Sequence, residues 1–225
     1  MNNTNVMNII EDYIDHLECS FIHADNYYSK LDPTVITMQG MTGLKTRHFY
    51  NNVCSLKDCR YLEIGSWLGS SVCAAMWKNE AIVVCIDNFS QFNEGGDIKK
   101  EFLKNTNACV GRNSFSFIED DCFKVNLEPN TRFNIYMYDG EHSYQSQYVA
   151  LSYFYKNMDD LFIYIVDDWN NEEVRRGTFD AIRDLNLRVW WSNSKMTEAN
   201  GVQLTWWNGM YVAILEKGPS VSKTS

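Results

Sequence analysis

What this 225-residue chain has little of narrows its role before any motif is considered. Basic residues are in deficit, 20 Lys and Arg against 29 Asp and Glu, leaving a formal net charge of −9. No basic stripe is available to track a phosphate backbone, so nucleic acid is not an expected partner. No apolar run approaches the roughly 20 residues that a membrane span needs. The amino terminus, Met1 to Asp12, has neither the basic nor the apolar region of a signal peptide. The seven cysteines, at 19, 54, 59, 73, 85, 109 and 122, form no C-x-x-C pair and are odd in number. Cys73 and Cys85 fall inside apolar patterns, where free thiols behave as small hydrophobes. A soluble, cytoplasmic protein with reduced thiols is the expectation.

What is present is a core-forming pattern, 45% hydrophobic and 14% aromatic. Candidate strands at 60–64, 81–87, 115–119, 133–139, 161–167, 187–192 and 209–216 alternate with helical patterns near 69–78, 97–108, 144–157 and 172–185. Such alternation implies an α/β fold with a doubly wound, Rossmann-like, mostly parallel seven-stranded sheet. The link from Phe123 to Arg132 contains Pro129 and has poor periodicity, which argues against a full helix there. Ile9, Ile10, Tyr13, Ile14 and Leu17 recur at helical spacing and predict an appended helix over 6–19. The expected organisation is one domain: a helical extension over 1–58, a core over 59–217 and a flexible tail over 218–225.

The most specific stretch is Arg60-Tyr-Leu-Glu63-Ile-Gly65-Ser66-Trp67-Leu-Gly69-Ser70-Ser71. A buried strand breaks on Gly65, where no Cβ obstructs the turn, and restarts as a helix after Gly69, with Ser70 and Ser71 as expected caps. Free helix N–H groups would then face a ligand. The next apolar strand, Ala81 to Asp87, ends in an acid suited to both hydroxyls of a ribose, with Asn88 beside it. A dinucleotide fingerprint, G-x-G-x-x-G, has a second glycine where this chain has Trp67, which disfavours close approach of a pyrophosphate.

The motif Glu63-x-Gly65-x-x-x-Gly69 followed by Asp87 resembles the class I S-adenosylmethionine (SAM)-dependent methyltransferases. Phe117-Ile-Glu-Asp-Asp121-Cys122 resembles their third motif, whose acid and following residue flank the adenine, and Phe133 to Tyr144 resembles the fourth strand and the active-site loop after it. The resemblance runs from about Arg60 to Glu216. It implies SAM as cofactor, held by Glu63, Gly65, Ser66, Trp67, Gly69, Ser70, Ser71, Asp87, Asn88, Asp121, Cys122 and Asp139, and a final strand running antiparallel to its neighbour.

Asp139 ends the fourth predicted strand and Asp167-Asp168 ends the fifth, so three carboxylates emerge at the carboxyl edge of the sheet. They would repel one another unless something positive lay between them, and a hard divalent cation such as Mg2+ answers that need. Their spacing resembles the metal site of catechol-type and macrolide-sugar O-methyltransferases. The competing reading is that Asp139 contacts only the methionine part of the cofactor and that the other acids are solvated. His142 has the unperturbed pKa of a general base for a hydroxyl acceptor; alternatively it caps the next helix, and Asp139 or Glu141 shares the proton. Catechol-type enzymes carry a lysine near this place, and this loop has none.

Acceptor contacts are less legible. Thr42 to Tyr50, with Lys45, Arg47 and His48, reads either as a grip for an anionic group or as an amphipathic helix with an exposed basic face. Arg175 and Arg176 are a second candidate clamp or ordinary surface ion-pairing groups. Among the tryptophans, Trp169 is the one expected to reach substrate, while Trp190-Trp191 and Trp206-Trp207 each suggest one ring in the core and one at a surface or interface. The resulting expectation is an O-methyltransferase acting on a small-molecule hydroxyl, a sugar or glycan first, without membrane or nucleic-acid partner and with homo-oligomerisation left open. An NAD-dependent oxidoreductase and a non-catalytic SAM-binding module are the alternatives.

Overall fold

The computed structural model describes residues 3–92 and 96–218, with the side chains of 3–5 left aside. The chain runs α1 (Asn3–Asp25), α2 (Pro33–Ile36), α3 (Leu44–Val53), β1 (Arg60–Ile64), α4 (Ser70–Met76), β2 (Ile82–Ile86), α5 (Ile98–Cys109), β3 (Ser114–Ile118), β4 (Phe133–Tyr138), α6 (Tyr144–Phe154), β5 (Met158–Asp167), α7 (Glu172–Asp184), β6 (Arg188–Lys195) and β7 (Met210–Glu216). The seven strands form one sheet in the order β3-β2-β1-β4-β5-β7-β6. The first five pair in parallel, and β7 lies antiparallel between β5 and β6. This is the expected Rossmann-like sheet with its antiparallel final strand and amino-terminal helix.

The sheet is covered on both faces, which explains why its central strands read as unbroken apolar runs. Along β1, β2 and β4, alternate residues go to opposite sides. Tyr61, Val83, Cys85, Ile135 and Met137 pack with residues of α1, α3, α4 and α5. Leu62, Ile64, Val84, Ile86, Tyr136 and Tyr138 pack with α6 and α7. No helix among the described residues is long and apolar enough to cross a membrane.

Several boundaries differ from the sequence reading for identifiable reasons. Helix α1 extends to Asp25 because Phe21 and Ala24 continue its buried stripe. Strand β5 begins at Met158, where a 3-10 turn over Tyr155–Asn157 closes the helix predicted to reach that point. No helix forms between β3 and β4, as Pro129 and the broken periodicity indicated. Of the tail expected over 218–225, all but Gly218 lies outside the described residues.

Helix α3 resolves the reading of the segment from Thr42 to Tyr50. It has no exposed basic face: Arg47 and His48 are buried with Phe49 and Tyr50. Among the described residues Arg47 has no carboxylate partner. Its guanidinium donates to the carbonyls of Val35 (2.8 Å), Ile36 (3.2 Å), Met38 (2.7 Å) and Thr42 (3.0 Å). A cation expected to grip an anion instead braces the chain between α2 and α3. Lys45, two residues earlier on the helix surface, pairs with Asp25 at 3.0 Å.

Candidate functional site

A cavity of about 540 Å³ opens at the carboxyl edge of the sheet, at the point where the strand order reverses between β1 and β4. Its lining includes Gly65, Trp67, Asp87, Asn88, Asp121, Cys122, Asp139, His142, Asp167 and Asp168 from the sequence-derived set. Glu63, Ser66, Gly69, Ser70 and Ser71 lie behind the wall rather than in it.

The turn after β1 needs its glycines for two different reasons. Gly65 has φ of 82°, and a Cβ there would fall 1.9 Å from the carbonyl oxygen of Asp139. The backbone at the ends of β1 and β4 can therefore close up, with the Asp139 amide donating to the Ile64 carbonyl at 2.9 Å. Gly69, at φ of 85°, takes the N-cap position of α4 itself, so Ser70 and Ser71 are helical residues and not caps. Ser71 Oγ instead donates to Glu63 Oε1 at 2.8 Å, and Ser70 Oγ lies 2.9 Å from Thr42 Oγ1.

Glu63 is fully buried and also accepts from Tyr61 Oη at 2.7 Å. Burial pushes its pKa up, the bonds from Tyr61 and Ser71 restrain the rise, and the result is about 7. The folded protein therefore binds more protons at this site than the unfolded chain between pH 4.5 and 7. Stability from this group is complete below pH 4.5 and is lost as pH rises through 7. The span corresponds to about 3 kcal/mol. Glu63→Gln should flatten that part of the stability profile in urea titrations at pH 5 and pH 8. An unchanged slope would refute the assignment.

Asp87 does more than end a strand. Its Oδ2 accepts the amides of Ser66 and Trp67, both at 2.8 Å, and its Oδ1 accepts the amide of Phe89 at 2.7 Å. The carboxylate thus holds the glycine turn in shape while still lining the cavity. On the far side, Asp121 Oδ1 accepts the Phe123 amide at 3.0 Å. Cys122 beside it is half-buried, and burial, with Asp121 adding to it, pushes its thiol up to about 12.

At the other end of the cavity, Asp139, His142 and Asp168 each bring a ligand-type atom within 4.8 Å of the other two. His142 Nε2 lies 2.7 Å from Asp168 Oδ2 and 3.5 Å from Asp139 Oδ1. Burial alone would pull the imidazole down, but its bonds to the two carboxylates outweigh that and raise it to about 10. Asp139, raised to about 6 by burial and restrained by His142, is the weaker acid of the two carboxyls that flank the imidazole. Asp168 is held below the usual carboxylate range: burial opposes this, but the bond from His142 and its charge prevail. In this arrangement an imidazolium occupies the place between the carboxylates where a cation was expected. Asp167 stands apart from the cluster. Its Oδ1 accepts the Asp168 amide at 2.9 Å, and burial pushes its carboxyl strongly towards the neutral form. The converging set is therefore Asp139, His142 and Asp168, where the sequence pointed to Asp139, Asp167 and Asp168.

Helix α6, which follows, is capped by Ser143, whose Oγ accepts the Ser146 amide at 3.2 Å. His142 is consequently not the cap.

Two further expectations are corrected. Trp169 does not reach the cavity: it is 3% exposed and stacks on Tyr211 at 4.4 Å. Asp168 has a left-handed φ of 55°, which turns the chain so that the next side chain enters the core. Arg175 donates to the Trp169 and Asn170 carbonyls at 2.7 and 2.8 Å, and Arg176 lies over the Tyr144 ring; neither lines the cavity. The sequence reading missed Trp207 and Asn208, which do line it. They come from the segment between β6 and β7, and Asn208 Nδ2 donates to Asp168 Oδ1. The Trp-Trp-Asn-Gly run before β7 was the available signal.

No protein-family model matches this sequence, and no curated protein matches it in sequence. Its fold does match solved structures. The putative RNA methyltransferase of Pyrococcus horikoshii is 14% identical, with a TM-score of 0.58 over 91% of this chain and 98% of that one. The O-methyltransferase TomG of Streptomyces achromogenes, involved in tomaymycin synthesis and solved with SAM, is 13% identical, with a TM-score of 0.52 over 77% and 80%. The O-methyltransferase of Bacillus cereus, solved with S-adenosylhomocysteine (SAH), is 13% identical, with a TM-score of 0.52 over 92% and 90%. At these identities the likeness concerns architecture, and the chain has the fold of the class I SAM-dependent methyltransferases.

Proposed function

We propose that this protein transfers a methyl group from SAM to a hydroxyl oxygen of a small molecule, a sugar or glycan, with help from a divalent cation. The observation that carries the reading is that the Gly65–Asp87 turn and the Asp139–His142–Asp168 cluster open into the same cavity. Its volume lies in the range of ordinary small-molecule sites.

In this reading Asp87 accepts the ribose hydroxyls, Asp121 and Cys122 flank the adenine, and Gly65 and Asp139 face the methionine part, a division supported by their shared lining of the cavity. NAD is a poorer fit. A pyrophosphate would need free amides in the glycine turn, and those of Ser66 and Trp67 are already donated to Asp87. Among the described lining residues there is no lysine or arginine. An RNA or other polyanionic acceptor would find none of the lysine or arginine counter-charge it needs among those residues, whereas a neutral polyol needs none.

Two facing carboxylates fit a divalent cation. Asp139 and Asp168 would hold it in place of the imidazolium between them, and the ion would make an acceptor hydroxyl more acidic. The chain's own groups do the rest. The half-buried wall around Asp139 excludes water from the sulfonium, the two carboxylates orient the hydroxyl for in-line attack, and the hydroxyl proton passes to Asp139 or to His142 Nε2, which would be free to accept it once a cation takes over the neutralisation of Asp139 and Asp168. Alignment of the two reactants supplies much of the rate.

Calorimetric titration with SAH, with and without Mg2+, tests the reading. We expect micromolar SAH binding and a separate Mg2+ heat that disappears in Asp139→Ala. Absence of SAH binding to the folded protein sinks the cofactor assignment; absence of a Mg2+ heat removes the cation.

A further inference from the structure

We propose that Trp207 is the stacking wall of the acceptor site and that residues 196–209 select a neutral pyranose ring; this rests on the methyltransferase reading above. Most of the cavity wall comes from loops that leave the carboxyl ends of strands. Trp207 and Asn208 come instead from the segment between two antiparallel strands. Because Asn208 bonds to Asp168, its neighbour Trp207 stands at the acidic end of the cavity, where methyl transfer would occur, and away from the Asp87 end.

The backbone that carries the ring is held rather than loose. Trp207 has a left-handed φ of 62°, a conformation that a bulky residue keeps only when its surroundings enforce it. Those surroundings are on hand. Thr197 Oγ1 donates to the Trp207 carbonyl at 3.1 Å, and Val202 bridges to Trp207 in the manner of a strand. The Asn170 amide donates to the Asn208 carbonyl at 2.8 Å. From behind, the Leu44 amide donates to Gln203 at 2.7 Å, and the Trp206 indole donates to Asp25, which also binds Lys195. The segment is thus clamped between α1, α3 and β6 before any ligand arrives, so little ordering cost falls on binding.

A half-buried indole in a cavity lined by carboxylates, without a lysine or arginine among the described lining residues, recognises by its flat face and not by charge. The C–H face of a pyranose suits it: apolar carbons lie against the ring while the hydroxyls point to Asp139 and Asp168. A sugar phosphate would meet a predominance of carboxylates, with His142 and any bound cation already committed to Asp139 and Asp168.

The test is saturation-transfer NMR on SAH-loaded protein with Mg2+, using methyl α-glucopyranoside, methyl α-rhamnopyranoside and glucose 6-phosphate as probes. We expect ring-proton signals from a neutral glycoside and none from the phosphate. The glycoside signal should fall at least fivefold in Trp207→Ala and persist in Trp207→Phe, with SAH affinity in both variants within twofold of wild type. Unchanged signals in Trp207→Ala, no signal from either glycoside, or an equal signal from the phosphate overturns the proposal while leaving SAH binding intact. Failure of the wild type to bind SAH strikes the underlying reading instead, so the two failures are distinguishable.

Discussion

Asp87→Ala should weaken SAH binding by about 100- to 10,000-fold, the largest effect expected of any cofactor-side substitution. Two ribose hydroxyls donating to a carboxylate are worth about 1.5–3 kcal/mol each, and about 1.4 kcal/mol corresponds to a factor of ten. The residue also acts on the other partner in the complex, the protein itself. Without its carboxylate, the amides of Ser66, Trp67 and Phe89 lose their acceptors, and the turn that must receive the cofactor is no longer pre-shaped. Asp87→Asn separates these contributions. Its single carbonyl oxygen can still accept from the turn amides, so the variant should bind SAH better than Asp87→Ala and worse than wild type. Calorimetry gives the affinities, and circular dichroism shows that each variant is folded. Binding by folded Asp87→Ala within a factor of three of wild type would remove Asp87 from the cofactor site. NAD serves as the control ligand, and no heat is expected from it.

That expectation could be formed from sequence because the acid, the turn and the strand are local. Periodicity gave the strands, since a strand buried on both faces must be apolar throughout, and the glycines gave the turn, since only they fit its backbone. The roles of Ser70 and Ser71 were misjudged by one residue: Gly69, in the left-handed conformation, is the cap, and this moves both serines into the buried helix. The string Lys45-Thr46-Arg47-His48 looked like an exposed basic face because charge usually is exposed. Helical rotation instead turns Arg47 inward to a ring of carbonyls that no sequence pattern announces.

The acidic end of the site was half legible for a different reason. Strand ends predicted that Asp139, Asp167 and Asp168 would share one edge. Adjacent residues at a strand terminus point to opposite sides, however, and only the backbone torsion at Asp168 decides which carboxylate faces His142. The same torsion carries Trp169 into the core. Trp207 takes the position at the cavity through a segment whose partners, Asp25 and Leu44, are more than a hundred residues away in the chain. Contacts of that range are set by tertiary packing, and no window of sequence contains them.

His142→Ala should lower methyl transfer by about 100- to 10,000-fold while leaving SAH affinity within about threefold of wild type. An alcohol does not release its proton at neutral pH unaided, so the group that receives it, here His142 freed of its own proton when a cation binds between Asp139 and Asp168, governs kcat and not cofactor binding. The substitution is unusually clean on the structural side: Ser143 caps α6, so removing the imidazole spares the helix terminus. What it does disturb is electrostatic. Asp139 and Asp168 lose the positive partner between them, and their repulsion then falls on whatever cation is present. Mg2+ dependence of the residual activity therefore tells two roles apart. If His142 only neutralises the carboxylates, saturating Mg2+ should restore transfer in His142→Ala to near the wild-type rate. If it receives the proton, Mg2+ cannot substitute, and the loss in kcat persists at saturation with KM for the acceptor little changed. Full recovery with Mg2+ would take the proton from His142 and assign it to Asp139, the half-buried carboxylate that lines the cavity beside it.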